Sequence, residues 1–149
     1  TGNWCKNPVT GKLEQEKCET DECERELRSR FPNSEFVSMQ AYPCKPETEY
    51  MLAKSVEYDS VVMVLYSYTI SYLGSSDTSK RMLAMMNALN NKISAVIQFG
   101  NPYAVRDYPE IPRIIFAFDK GLCYRYAAAA LAGDYEPEGM LPVRIGKKA

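Results

Sequence analysis

The sequence predicts an α/β fold, a three-layer α-β-α sandwich with helices on both faces of a mostly parallel sheet. Three observations support this prediction. Apolar runs alternate with segments of helical periodicity, residues 61–66 are apolar at every position, and a second apolar run ends in Gly-Asn-Pro. Continuous apolarity indicates burial on both faces, as in a central parallel strand. Alternation of strands and helices favours a parallel sheet with right-handed crossovers, here of about five strands.

Five segments have the composition of strands. They are 35–42, 61–66, 93–99, 113–118 and 140–145. The last is a short edge strand at the C-terminus, where Pro142 is tolerated because an edge position does not require its backbone donor. Together these segments account for the predicted sheet.

Four segments have the periodicity of helices, namely 20–31, 46–57, 80–91 and 121–133. In the first, acidic residues come early and arginines late, which complements the helix dipole. Cys23, Leu27 and Phe31 recur every four residues and form one apolar stripe. Gly133 predicts a C-terminal cap for the last helix.

The crossover after the third strand is short. Gly100 suits a positive φ, Asn101 is a favourable N-cap, and Pro102 fits the first position of a helix. We therefore predict a strand, a tight turn and a helix of one or two turns. Pro109 and Pro112 then end this helix before the next strand.

Length and composition fit one domain preceded by an arm. The chain has 149 residues, is 46% hydrophobic and 25% charged, and carries a net charge of -1. Residues 1–18 are polar and turn-rich and predict an arm or the end of a linker, whereas 19–149 predict a single α/β domain. Mixed charge argues against a nucleic-acid partner. No apolar run approaches the roughly 18 residues of a membrane span.

Cysteine and histidine usage indicates no metal centre and no cofactor. The five cysteines are an odd number, and histidine is absent. No pair of cysteines is followed by a second pair at the spacing that zinc sites use. The sequence leaves open whether Cys5, Cys18 and Cys23 include a disulfide or are free thiols.

Several motifs between Tyr58 and Ile145 resemble those of a known family. The stretch 99–103 reads Phe-Gly-Asn-Pro-Tyr, and an alanine-rich helix followed by Gly133 leads to Pro-x-Gly-x-Leu-Pro-Val at 137–143. This part of the chain is similar to the C-terminal domain of glycoside hydrolase family three, in particular to the bacterial two-domain β-N-acetylglucosaminidases. Residues 22–57 match that family in pattern only.

The resemblance implies a partner domain that does the chemistry. In that family the catalytic domain is an N-terminal TIM barrel carrying an Asp nucleophile. In the acetylglucosaminidase branch, a His on a barrel loop is the acid/base. Neither role transfers to this chain, so no catalytic residue is assigned. The implied partners are the catalytic barrel of the parent chain and an N-acetylglucosamine-type sugar. The resemblance gives a bacterial origin but no compartment.

Independent catalysis has little support in the residues themselves. Glycoside hydrolysis needs two carboxyl groups about 5 Å apart for retention, or roughly 6.5–9.5 Å apart for inversion. Asp119 follows the strand 113–118 at the edge where open α/β sheets bind ligands, yet it equally suits a helix cap. No Gly-x-Ser-x-Gly elbow, Walker loop or Gly-x-Gly-x-x-Gly motif is present.

The carboxyl edge of the predicted sheet gathers polar and aromatic residues that serve as candidates for ligand or domain contact. They are Tyr66, Ser67, Tyr68, Gly100, Asn101, Tyr103 and Asp119. Tyrosines and amide-rich turns are suited to binding sugars and equally to docking against another domain. Tyrosines are also commonly half-buried at loop ends without any binding role. We therefore expect an accessory, non-catalytic domain of a β-N-acetylglucosaminidase-like enzyme. The alternative is a stand-alone carbohydrate-binding or scaffold module.

Overall fold

The computed structural model describes residues 4–6, 13–15, 19–67, 78–118 and 122–146. Its helices are α1 (Glu19–Arg30), α2 (Lys45–Ser55), α3 (Lys80–Ala88) and α4 (Leu122–Ala132). Its strands are β1 (Trp4–Lys6), β2 (Leu13–Gln15), β3 (Val61–Ser67), β4 (Ile93–Gly100) and β5 (Ile114–Ala117). A 3-10 helix, Pro102–Asp107, lies between β4 and β5.

The main sheet of the described residues has three parallel strands in the order β3-β4-β5. The α/β class and the parallel pairing are therefore confirmed, whereas the prediction of about five strands is wrong. The strands β1 and β2 form a separate antiparallel pair within the predicted arm.

Two predicted strands are irregular in the structure. Segment 35–42 contacts both cores, since Phe36 packs against one and Met39 against the other, but no ladder pairs it with the sheet. Segment 140–145 is also unpaired, and its Met140 side chain is 94% exposed. Pro142 lacks the backbone donor that a strand ladder uses, which weakens this segment as a strand.

The central strand is β4 and not β3. All residues of β4 from Ala95 to Phe99 are buried, whereas Val62 of β3 is exposed. β3 pairs only with β4 among the described residues, so its continuous apolarity does not indicate a central position. Helices cover both faces of this parallel sheet, so both strands are rich in apolar residues. A continuous apolar run therefore does not show whether its strand is central or at the edge.

Helices α1 and α4 cover one face of the sheet. The cluster here joins Cys23 and Leu27 of α1 to Phe99 of β4 and to the alanine-rich side of α4. The predicted stripe of α1 is thus confirmed as its buried face. The small alanine side chains allow α4 to lie close to both α1 and the sheet. The interior can then be close-packed with few gaps.

The opposite face carries a cluster that we call the methionine layer. Six of the seven methionines belong to it or pack against it. They are Met39, Met51, Met63, Met82, Met85 and Met86. α3 supplies the centre of this layer and α2 its border, which places the flexible thioether side chains on one face only.

Two helix ends are fixed by polar contacts across the fold. The hydroxyl of Ser79 accepts a 3.2 Å hydrogen bond from the backbone N–H of Met82 and caps α3. The Lys92 ammonium donates to the carbonyl oxygen of Ser55, the last residue of α2, at 2.7 Å and to that of Tyr58 at 3.0 Å. A cation is favourable there because the carbonyl end of a helix is the negative end of its dipole.

Candidate functional site at the carboxyl edge of the sheet

The turn that leaves β4 has the geometry that the sequence predicts. Gly100 adopts a φ of 83°, in the region that favours glycine. The Asn101 N–H donates a 2.7 Å hydrogen bond to the Ser67 carbonyl, which ties the turn to the end of β3. The Asn101 side-chain oxygen accepts a 3.0 Å bond from the Tyr103 N–H, so the predicted N-cap is confirmed. The helix that follows is a 3-10 helix.

This 3-10 helix presents an aromatic ring and a guanidinium group together. Residues three apart eclipse each other in a 3-10 helix because it has three residues per turn. Accordingly, the Arg106 Cζ atom lies 4.4 Å from the centroid of the Tyr103 ring. The Tyr103 side chain is 40% exposed, and Arg106 is exposed as well. Ala104 between them is buried and anchors the helix to the body of the domain.

The candidates Tyr66 and Ser67 lie on opposite faces of the sheet, because consecutive residues of a strand alternate. The Tyr66 ring stacks on Phe99 with centroids 5.0 Å apart and contacts Tyr124 edge-on at 6.4 Å. It therefore belongs to the core under α1 and α4 and is not a surface contact residue. Ser67 instead lies on the methionine side near the Tyr108 hydroxyl, where it acts to lower the pKa of that phenol.

A polar cluster that the sequence analysis did not identify lies beside Ser67. Gln98 sits in the central strand with its side chain 0% exposed. Its Oε1 atom accepts a 2.7 Å hydrogen bond from the Tyr108 hydroxyl, and its Nε2 atom donates to the Phe99 carbonyl at 2.9 Å. A polar residue inside the apolar run 95–99 is the one sequence signal that could have indicated this cluster, because a buried amide requires partners.

The Tyr108 hydroxyl takes part in two hydrogen bonds with described side chains. It donates to Gln98 at 2.7 Å and accepts from the Thr78 hydroxyl at 3.4 Å. Burial raises the pKa of Tyr108, while Thr78 and Ser67 act in the opposite direction. The phenol is therefore a neutral structural link between the 3-10 helix, the central strand and the start of α3.

The structure brings only some of the predicted site residues together. Four candidates lie at the ends of β3 and β4 and in the turn that leads from β4 into the 3-10 helix, namely Ser67, Gly100, Asn101 and Tyr103. Tyr66 is directed into the core. Tyr68 and Asp119 lie outside the described residues. The resulting edge offers hydroxyl, amide, aromatic and guanidinium groups, which suit binding more than bond cleavage.

The cysteines of the described core do not form a disulfide with one another. Cys23, Cys44 and Cys123 are free thiols, and Cys23 is buried in α1. Burial raises the pKa of the Cys23 thiol, with a hydrogen bond from Tyr66 acting the other way. The thiol form is favoured, so Cys23 behaves as a small core residue. Within the described ranges, no three His, Cys, Asp or Glu residues are grouped so as to hold a metal ion.

Comparison with protein-family models, with curated proteins and with solved structures gives no match to this chain. The resemblance to glycoside hydrolase family three therefore rests on the sequence motifs alone. Among the helices in the described part of the chain, none has the length and apolarity needed to cross a membrane.

Proposed function

We propose that the chain is an accessory, non-catalytic domain of a β-N-acetylglucosaminidase-like glycoside hydrolase, and that it packs beside a catalytic TIM barrel. One observation carries the proposal. The sequence Phe-Gly-Asn-Pro-Tyr leaves the central strand of a parallel sheet through a positive φ at Gly100, in the setting that the family-three motif implies. A motif carries more weight when its backbone context agrees with it.

The chemistry of the carboxyl edge agrees with an accessory role. Asp107, at the end of the 3-10 helix, is a carboxylate among the described groups of this edge, and the phenol of Tyr108 is engaged in hydrogen bonds within the domain. Catalysis of glycoside cleavage requires a pair of carboxyl groups at a defined separation. In the proposed enzyme, the barrel supplies both catalytic groups and this domain contributes surface at the rim of the sugar site.

A direct assay tests the proposal. The purified chain is incubated with a chromogenic N-acetylglucosaminide, alone and together with the catalytic barrel encoded with it. We expect no turnover by the chain alone and a stable complex with a barrel of eight βα units, roughly 250 residues or more in length. Turnover by the chain alone that is lost in Asp119→Ala would contradict the accessory role. Lack of any such barrel in the parent protein would contradict the family.

A stand-alone carbohydrate-binding module is the second candidate. The exposed ring of Tyr103 and the half-buried hydroxyls of Ser67 and Thr78 favour it, because aromatic faces and hydroxyl groups are suited to sugars. Calorimetry with cell-wall sugars separates the two functions. Micromolar binding by the isolated chain supports the module, and absence of binding supports the accessory domain.

A further inference from the structure

The 3-10 helix holds one guanidinium group whose hydrogen-bonding edge is available. The Arg106 Cζ atom lies over the Tyr103 ring, 4.4 Å from its centroid. A guanidinium group has five N–H donors, and those directed away from the ring can bind an anion. Among the described residues, the ion pairs of arginine involve Arg25, Arg28 and Arg30, and none involves Arg106.

The support of this helix fixes the Tyr103–Arg106 pair before any ligand arrives. At its start, the Asn101 side chain caps the Tyr103 N–H, and the Asn101 N–H is bonded to β3. At its end, Tyr108 is bonded to Gln98 in the central strand. A pre-organised site loses less conformational entropy when it binds, which improves affinity at equal contact.

A hydroxyl group lies at the same carboxyl edge of the sheet. The Thr78 hydroxyl donates to the Tyr108 oxygen at 3.4 Å, and no group among the described residues donates to Thr78 in turn. Its oxygen can therefore accept from a ligand hydroxyl, since a hydroxyl group accepts two bonds besides the one it donates. The carboxyl ends of parallel strands are also where open α/β sheets bind small ligands.

We propose that Tyr103 and Arg106 form a binding site for an acidic sugar of the hexuronic acid class. The edge of the Arg106 guanidinium pairs with the sugar carboxylate in a bidentate manner, and the exposed part of the Tyr103 ring contacts the sugar ring. This inference goes beyond the proposed function, because N-acetylglucosamine itself carries no carboxylate. It is measured on the isolated chain, so it can fail while the accessory-domain proposal holds, and the reverse is equally true.

An NMR titration of the 149-residue chain tests the site. Methyl β-glucuronide and methyl β-glucoside share a ring and differ in the carboxylate at C6. We expect the glucuronide to shift the backbone amides of residues 103–106 and to bind about tenfold or more tightly than the glucoside. A charge-assisted bond of ordinary strength corresponds to that ratio.

Two arginine variants provide the matched comparison. Arg106→Gln lowers the affinity for glucuronide to that for glucoside, whereas Arg125→Gln, at an exposed arginine of α4 with no ion pair among the described residues, leaves it unchanged. Equal affinity for the two sugars, equal loss in both variants, or no shift at residues 103–106 would overturn the proposal. Acetate that shifts the same amides as strongly as glucuronide would reveal a general anion site and would also overturn it.

Discussion

The Tyr108 hydroxyl donates a 2.7 Å hydrogen bond to the Oε1 atom of Gln98, and this bond links the end of the 3-10 helix to the fully buried centre of the sheet. Through it, the 3-10 helix that presents Tyr103 and Arg106 is attached to β4, the most deeply buried of the described strands. The carboxyl edge is therefore a supported surface, which is what a binding or docking role requires.

Removing the Tyr108 hydroxyl should destabilise the domain. In Tyr108→Phe the buried Oε1 atom of Gln98 has no donor, and an unsatisfied buried acceptor costs about 1–3 kcal/mol. Urea denaturation measures this loss. Tyr103→Phe is the matched control, since its ring is exposed, and should change the free energy of unfolding by less than about 0.5 kcal/mol. Equal effects of the two variants would show that the Gln98 bond contributes nothing.

The cap of α4 should require glycine at position 133. Gly133 has a φ of 81°, and a Cβ atom added there would meet nothing within 4 Å, so any cost of Gly133→Ala arises from the backbone alone. We expect a loss of about 1–2 kcal/mol by thermal or urea denaturation. Gly139 also has open space around it but no positive φ, so Gly139→Ala should be close to neutral. A neutral Gly133→Ala would contradict the strained cap.

The aromatic packing under α1 and α4 should be measurable at Phe99. Its ring stacks on Tyr66 and meets Tyr124 edge-on, each at 5.0 Å between centroids. Phe99→Leu removes both ring pairs, each worth about 0.5–1.5 kcal/mol, and so should lower stability by about 1–3 kcal/mol. Tyr42→Leu changes an exposed ring and serves as the control. If Phe99→Leu and Tyr42→Leu had the same free energy of unfolding in urea denaturation, the ring pairs would make no net contribution to stability.

Stability should fall in acid partly through Glu35. A hydrogen bond from Tyr58, and then one from Lys54, lowers the pKa of Glu35 below its ordinary value of 4.5. Because the folded carboxylate binds its proton less tightly than the unfolded one, this contribution is present above pH 4.5 and disappears as the pH drops through the lower folded-state pKa.

Glu35→Gln should therefore lose less stability than the unaltered chain when the pH is lowered from about 5 to about 3. Tyr58→Phe keeps the carboxylate but removes its first donor and should show a smaller loss in the same range. Urea denaturation at several pH values provides the measurement. An acid dependence identical to that of the unaltered chain in both variants would exclude Glu35 as a contributor.

The sequence predicts those features of the fold that depend on local pattern. The stripe of Cys23, Leu27 and Phe31, the cap at Asn101 and the positive φ at Gly100 each follow from neighbouring residues, and each is found. Strand pairing depends instead on distant partners. Segment 35–42 has strand-like composition and reaches both cores, yet composition cannot show whether its backbone meets β3.

The candidate site was predicted in part for the same reason. The sequence predicts where β3 and β4 end, and the candidate residues near those ends do lie at one edge of the sheet. They are Ser67, Gly100, Asn101 and Tyr103. Whether Tyr66 faces solvent or core depends on the register of β3 with β4, which the sequence does not encode locally. The Gln98–Tyr108 link spans two elements and depends on how the 3-10 helix folds back onto the sheet.

The methionine layer gives the two faces of the sheet different chemical sensitivities. Oxidation converts a thioether into a polar sulfoxide, which a packed layer cannot accommodate. Met140 is almost fully exposed and should react with peroxide at once, while Met82, Met85 and Met86 react only when that layer opens. The time course of sulfoxide formation, followed by mass spectrometry, would thus record how often the methionine layer becomes accessible to solvent.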